Sequence, residues 1–353
     1  MDEQRLAQRL RALSQTELFY RDYRLAKSSP AGFQVYLEQL NPSFVRASGL
    51  VIPEWPDTAA RERPEEQYFP PDGRAGLRVR KHECFSPAVA HSHDYFEMLY
   101  VWEGRCVCEV RAHSSVLSGG DVCLLQPGVV HSLDVSDESV VIVAHIRRSA
   151  FRQHFFGLLQ GGHLLANFFI SSLYSAQGID TLVFHTGADP ELQKTMIALW
   201  GEFYEQQDYY QELANALVTK AFVLLLRKHM DSCVLPGGRV KDTEAALRIF
   251  RFLQSNAATA TLGGLAAEFH YSPEYASRQI KRITGRTFMQ LLTSIRLENA
   301  EQLLRDTALP VSEIAAAVGY ESSEHFIRTF RKHRNMTPSI FRQQKRITAF
   351  PAI

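Results

Sequence analysis

Two groups of side chains in this sequence have the types and spacing to do chemistry. The first is His91-x-His93-x3-Glu97, followed by Pro127-Gly128-x2-His131. On a β-strand, positions i and i+2 point the same way, so His91, His93 and Glu97 share one face. Three imidazoles and a carboxylate suit a divalent metal. They equally hydrogen-bond the hydroxyls of an organic molecule, with Tyr95, Phe96 or Trp102 able to stack on it. A purely structural role is the third reading, and the residues alone leave all three open. His113 and His145 have no partner at such a spacing and read as surface or core histidines.

The second group is basic and repeated. Residues 265–272 (LAAEFHYS) recur as residues 314–321 (IAAAVGYE), and Arg278-Gln279-Ile280-Lys281-Arg282 recurs as Arg328-Thr329-Phe330-Arg331-Lys332. Each copy reads as an apolar-faced helix, a turn, and a second helix ending in a basic cluster. That is the layout of a helix-turn-helix, whose second helix enters the DNA major groove. Ser272 and Pro273 mark the start of the first such helix, and Ser322 or Ser323 that of the second. Between the copies, residues 288–305 form one amphipathic helix with Leu291, Leu292, Ile295, Ala300, Leu303 and Leu304 apolar. A rod of that length is about 27 Å. Successive major-groove faces lie roughly 34 Å apart, so one rigid domain can address two of them.

The elements that must position these groups divide the chain. Its 353 residues exceed one ordinary domain. With 45% hydrophobic and 22% charged residues the profile is that of a globular protein. No apolar run approaches a membrane span and the first residues, MDEQRLAQRL, have no signal-peptide character. Five scattered cysteines without a CxxC pair argue against a disulfide framework or zinc-thiolate site, and the expected location is the cytoplasm. Net charge is +1 overall, yet residues 239–346 hold 17 basic against 10 acidic residues, and the remainder 22 against 28. A basic end joined to an acidic body suits a polyanionic partner for one end only.

Residues 1–76 show one short amphipathic pattern (Leu6, Leu10, Leu13) and a Pro-rich stretch over 51–71, expected to be an arm or part of the sensor. Residues 77–148 carry short β-rich runs broken by Glu103-Gly104, Ser118-Gly119-Gly120 and Pro127-Gly128, the texture of a small sandwich or barrel. Residues 149–233 turn helical, with Leu192, Met196, Leu199 and Phe203 on one face and Leu213, Leu217 and Leu224 on the next helix. These two faces are the expected dimer contact, or alternatively a cover for the sandwich. Residues 234–242 read as a linker and 243–346 as the basic all-helical domain.

The last 105 or so residues resemble the DNA-binding domain of the AraC/XylS family of transcription regulators. The residues that carry this are Arg296-Leu297, Ala300, Leu303-Leu304, Val311, Ile314-Ala315, Gly319-Tyr320, His325-Phe326, Arg328, Phe330-Arg331-Lys332 and Thr337-Pro338. His270 and Asn335 depart from the small or glycine residues common there. The resemblance implies that Glu274, Ser277 and Arg278 face base edges in the first unit, and Ser323, Glu324, His325 and Arg328 in the second. Lys281, Arg282, Arg331 and Lys332 would meet phosphates. For Glu274, Ser277 and Glu324, plain helix surface or capping is the competing reading.

The His/Glu segment resembles the cupin fold, matching its first motif fully. The second is looser: Gly120 lies seven residues before Pro127, and Val135 stands where an Asn is expected. In cupin enzymes such residues hold iron, manganese or another divalent ion, which would make His91, His93, Glu97 and His131 the ligands. Regulators of this kind often bind sugars there instead, making His91, His93, Tyr95, Glu97, Trp102 and His131 an effector pocket. The expected fold is α+β and multidomain: a cupin-like sandwich or barrel, then helices, then an all-α domain with two helix-turn-helix units. The expected function is effector-controlled binding of double-stranded promoter DNA, as a homodimer, with RNA polymerase as the further partner an activator needs. The alternative is a metal-dependent cupin sensor or enzyme fused to a DNA-binding domain. No nucleophile elbow or phosphate loop supports catalysis.

Overall fold

The computed structural model describes residues 2–55, 62–69, 76–111, 113–155, 180–236, 248–249, 252–253, 255–284 and 286–349. The expected linker beyond residue 236 and the expected start of the last domain lie outside them. The chain divides into two compact units, the second holding everything described from residue 248 onward.

The first unit opens with four helices where one was expected: α1 (Glu3–Arg11), α2 (Gln15–Ala26), α3 (Pro30–Gln39) and α4 (Pro42–Ala47). Each has a start signal. Asp2 caps α1, Ser14 and Glu17 form a reciprocal capping box on α2, and Ser29-Pro30 and Asn41-Pro42 open α3 and α4. Tyr20, Tyr23, Val45, Leu50 and Ile52 give these helices a small core of their own. β1 (Glu62–Arg63) and α5 (Glu65–Tyr68) follow.

Ten further strands follow, nine of them in two facing sheets and one, β3, paired with β1. In chain order they are β2 (Leu77–Lys81), β3 (Ser92–His93), β4 (Phe96–Glu103), β5 (Arg105–Val110), β6 (His113–Ser118), β7 (Val122–Leu125), β8 (His131–Asp134), β9 (Val140–Ile146) and, later, β10 (Thr181–Phe184). A tenth, β11 (Cys233–Val234), completes the larger sheet. The orders are β11-β10-β7-β4-β9-β2 and β6-β5-β8, while β3 pairs with β1. Leu99, Val101, Cys123, Leu125, Val141, Val143 and Val183 from the larger sheet meet Cys106, Cys108, Val110, Leu117 and Leu133 from the smaller, a continuous apolar interior. β10 and β11 fall outside the expected sensor boundary of 77–148; short strands embedded in helical sequence are poorly signalled, and pairing of β10 with β7, and of β11 with β10, is what defines them.

Helices α6 (Arg148–Phe155), α7 (Pro190–Glu205) and α8 (Tyr210–Lys228) complete this unit. Asp189 caps α7 by accepting from Glu191 and Leu192 N–H groups, and its carboxylate also meets His229 Nε2 at 2.8 Å. Leu192, Met196 and Leu199 are fully buried within the chain. That part of the stripe read as a dimer contact is an internal face, as is Leu224; Phe203 and Leu217 are half-buried and Leu213 is half exposed.

The second unit contains α9 (Leu262–Glu268), α10 (Pro273–Thr284), α11 (Phe288–Asp306), α12 (Val311–Ala317), α13 (Ser323–Arg334) and α14 (Pro338–Ala349). α9–α10 and α12–α13 are the two helix-turn-helix pairs, joined by α11, which starts from a Thr287/Gln290 capping box. Around α11 packs a core of Leu297, Ala300, Leu304, Ile314, Ala315, Val318, Phe326 and Phe330. The turns require left-handed backbone: His270 sits at φ 55° and Gly319 at φ 91°. At Gly319 a Cβ would lie 2.2 Å from the Ala258 carbonyl oxygen, so only glycine fits. Asn335 ends α13 at φ 55°, the conformation asparagine tolerates.

Candidate effector site and DNA-reading face

Glu97 is the hub of the first group. It lies inward on β4, directly across from His145 on β9 and Leu125 on β7. His93 reaches it from β3 and His131 from the start of β8. The backbones of His91 and His131 exchange two hydrogen bonds of 2.9 Å, which bring the two sequence motifs together. Glu97 Oε2 meets His93 Nε2 at 2.8 Å and His131 Nε2 at 2.9 Å, and Oε1 meets His145 Nε2 at 3.1 Å.

The ring orientations follow from the other nitrogens. Nδ1 of His91, His93 and His131 lies at 3.0, 2.8 and 3.0 Å from the carbonyl oxygens of Val89, Tyr95 and Val129. A carbonyl only accepts, so each Nδ1 carries the proton and each neutral ring turns an Nε2 lone pair inward. The contacts of His93 and His131 with the carboxylate then require a cation: a second ring proton or a metal ion. Burial alone would raise the Glu97 pKa, but hydrogen bonds from His131, His145 and His93 hold it well below the carboxylate range. Burial opposes charge on His131, yet Glu97 raises its pKa overall. His145 is the opposite case, pushed down to about 4 chiefly by burial. As a neutral ring it donates Nε2–H to Glu97 and accepts at Nδ1 from the Tyr68 hydroxyl at 2.6 Å.

These residues fit a divalent ion. The candidate ligand nitrogens of His91, His93 and His131 lie within 4.8 Å of one another. The 2.8 and 2.9 Å approaches to Glu97 match the ~3 Å edge of an octahedron with bonds of ~2.1 Å. The backbone carbonyls on each Nδ1 are the outer partners that fix metal-binding imidazoles.

Two expected pocket residues behave otherwise. Tyr95 is completely buried, stacked on His93 at 4.1 Å between ring centres, so it braces the imidazole. Trp102 is a correction. Five residues along β4 place it about 17 Å from Glu97, beside a bulge and under the Arg11 guanidinium at 4.7 Å. His145 is the reverse correction: read as unpartnered, it belongs to the hub. Strand register brings His145 there and α5 brings Tyr68, and no local spacing announces either.

The second group lies on the two recognition helices. Glu274, Arg278, Lys281 and Arg282 are exposed on α10 and Ser277 is half-buried; Glu324, His325, Arg328, Arg331 and Lys332 are exposed on α13, with Ser323 half-buried. Ser272 and Ser322 cap the two helices through Tyr275 and His325 N–H groups. Arg282 is bonded to Gln279 at 2.7 Å, and His325 packs edge-on against Tyr320. Glu324, Ile327, Arg328, Arg331, Lys332 and Thr337 line one groove. Ile327 and Thr337 were missed by sequence reading, although Ile327 sits one turn from Glu324 and Arg331. α13 is anchored from behind: Arg334 Nε bonds to the buried Glu301 carboxylate of α11.

Comparison with known proteins agrees on both units. Residues 85–222 match the AraC-like ligand binding domain and residues 265–344 a helix-turn-helix domain. The E. coli (O1:K1 / APEC) HTH-type transcriptional activator RhaS is 24% identical over 78% of this chain and 95% of its own length. An uncharacterized HTH-type regulator of Bacillus subtilis (strain 168), YtdP, is 38% identical over 86 residues, 24% of this chain but 11% of that protein. Among solved structures, the C-terminal domain of AraT, a response regulator from Geobacillus stearothermophilus, matches 27% of this chain and 81% of its own at 38% identity, with a TM-score of 0.26. With an AraC-like ligand-binding domain ahead of a duplicated helix-turn-helix, the chain belongs to the AraC/XylS family of transcription regulators.

Proposed function

We propose that a small organic effector, of the sugar type or a related metabolite, binds at the mouth of the barrel above Glu97 and thereby alters how the regulator occupies promoter DNA. The observation that carries this is the inward-facing hub itself, a carboxylate with three imidazoles set beside the apolar interior of the two sheets. Buried polar groups are costly without partners, and a purely structural core would need none of them. Coupling would be a population shift, in which the effector favours one arrangement of the protein on its half-sites. Arg278 and Arg328 would read bases, with Lys281, Arg282, Arg331 and Lys332 on phosphates. The protein would act as a cytoplasmic homodimer, and as an activator it would engage RNA polymerase. Operators selected from a random duplex pool test this: a sugar or polyol that changes affinity or half-site spacing for wild type, and does nothing to Glu97→Ala, supports the reading. A panel that moves neither protein's DNA binding argues against it.

A second reading is favoured by the three carbonyl-anchored imidazoles. His91, His93, His131 and Glu97 would hold a divalent ion, which would polarise an oxygen of the effector. Metal analysis of untagged protein beside a His91→Ala/Glu97→Ala variant decides it. Stoichiometric metal lost in the variant supports the ion; metal in neither excludes it.

A further inference from the structure

The hub itself is nearly sealed: Glu97, His93, His131 and His145 are all at most 6% exposed. What remains open lies beside it, on β2. Register pairs Arg78 with His145 and Arg80 with Val143, while β4 sets Glu97 and Leu99 against the same two residues. Directly paired residues share a face. Arg78 therefore joins the row of His145 and Glu97, and Arg80 the row of Val143, Leu99, Cys123 and Val183, which is barrel interior. His82 continues the same face, its N–H bonded to the Val141 carbonyl. Arg-x-Arg-x-His thus projects a basic stripe inward from an edge strand.

None of the three is consumed by the fold. Arg80 keeps a third of its side chain exposed, and among the described residues its partners are Glu83, at 2.6 Å, and the Tyr68 hydroxyl. Arg78 lies over the Tyr68 ring at 4.8 Å, and one of its five donors bonds to the Tyr68 carbonyl. His82 Nδ1 is buried without a hydrogen-bond partner among the described residues. Among the described residues the two guanidiniums have one nearby carboxylate besides the hub's, Glu83; Glu97 also acts on Arg80 but is itself engaged by imidazoles.

We propose that this mouth is a receptor for a monoanionic polyhydroxy acid, a uronic or aldonic acid. Its carboxylate pairs with Arg80 and Arg78, and its hydroxyls meet His82 Nδ1, Tyr68 and His91. Among the described residues two guanidiniums face Glu83, an excess that suits one carboxylate better than a phosphate dianion. A planar guanidinium meets a carboxylate with two parallel hydrogen bonds, a geometry a neutral sugar cannot offer. This rests on the reading of the barrel as the effector site and narrows it to an acid.

The test is calorimetric titration of the full chain with D-glucuronate, D-galacturonate and D-gluconate, beside glucose, galactose, sorbitol and glucose 6-phosphate. At least one sugar acid should bind, with its neutral parent and the phosphate at least tenfold weaker. Arg80→Gln should weaken the acid by about 10–100-fold, and Arg80→Lys by less. Glu83→Gln, which releases the competing carboxylate, should tighten it; a folding defect cannot produce that gain. A neutral sugar binding as well as its acid, equally in wild type and Arg80→Gln, would keep the effector site and overturn the acid. Tighter glucose 6-phosphate would replace the carboxylate with a phosphate. No acid binding to wild type would also overturn the inference.

Discussion

The barrel and the DNA-reading domain both cluster charged and imidazole side chains, but they handle them in opposite ways. Around Glu97 the groups are committed: three buried imidazoles converge on one carboxylate, and backbone carbonyls fix two of them and the half-buried His91. On the recognition helices Arg278, Lys281, Arg328, Arg331 and Lys332 are exposed and make no ion pair among the described residues. A sensor must be preorganised before its ligand arrives, so its polar groups support one another. A reader of DNA keeps its cations hydrated and available, so its rigidity comes from behind, through Glu301 and Arg334 and the apolar core on α11.

The largest consequence should come from breaking the sensor's network. Glu97→Ala removes the shared acceptor of three buried rings and should cost the first unit about 3–5 kcal/mol, as for breaking a buried ionic group. Glu324→Ala, at an exposed helix position of the second unit, should leave the first unit's stability unchanged. All three tryptophans (Trp55, Trp102 and Trp200) lie in the first unit, so tryptophan emission during denaturant unfolding reports it alone. Equal midpoints for wild type and Glu97→Ala would mean the hub fastens nothing.

The reader's matching weak point is backbone, not charge. Gly319→Ala places a Cβ 2.2 Å from the Ala258 carbonyl oxygen at φ 91°, and the second unit should lose about 2–4 kcal/mol. His270→Gly at the equivalent turn relieves a left-handed side chain, so stability should move by less than about 1 kcal/mol. Far-UV circular dichroism beside tryptophan emission separates the two transitions. A Gly319→Ala loss no larger than the His270→Gly change would show that the two turns are not built differently.

Legibility followed the same divide. Helix-turn-helix positions are local, so a duplicated motif, the Ser272 cap, the choice of Ser322 or Ser323 (Ser322 in the structure) and the apolar period of α11 predicted the helices of the second unit. In the barrel, spacing singled out His91, His93 and Glu97, and the Pro-Gly turn His131, but the one strand expected to carry the first three is broken: His91 precedes β3, His93 ends it and Glu97 lies on β4. His145, Arg78 and Arg80 arrive by register between strands distant in sequence, and Tyr68 on a helix packed against them; one sequence does not encode that pairing in a readable form. Trp102 was avoidable: its distance along β4 already placed it beyond reach of Glu97. α2, α3 and α4 were missed although Ser14-x-x-Glu17, Ser29-Pro30 and Asn41-Pro42 announced them, because proline and short polar residues also mark loops.

If Arg328 is uncommitted until DNA arrives, its removal should leave the free protein's stability unchanged and fall wholly on binding. Arg328→Ala should cost about 1–3 kcal/mol for selected operators and relax the base preference at one position. Binding to a randomised operator library reads both. Unchanged preference would mean that α13 does not present Arg328 to base edges.

Acid should distinguish the units by way of a committed group in the first. Asp189, the α7 cap, is held at about 2; burial opposes the shift, and His229 with the Leu192 and Glu191 N–H groups outweighs it. An aspartate depressed from its unfolded value near 3.9 stabilises the fold fully above that value and loses the contribution as pH falls toward 2. Allowing for partial screening, roughly 1–2 kcal/mol of first-unit stability should vanish across that window. Asp189→Asn should flatten the loss seen by tryptophan emission, whereas a profile identical to wild type would remove Asp189 from the account.

The smallest effect tests whether the reader's cations differ among themselves. Lys332 follows Arg331 in the last turn of α13 and shares the groove with Arg328, with its ammonium exposed. An ammonium is a point charge without the guanidinium's planar fork, suited to a phosphate and not to a base edge. Lys332→Ala should weaken every duplex alike and lower the slope of log affinity against log salt by about one, because one fewer counterion is released. Titrations of a selected operator and a scrambled duplex at several salt concentrations measure this. Loss confined to the selected operator, with the slope intact, would give Lys332 a base-reading role and place its helix deeper in the groove than the division between Arg328 and Lys332 requires.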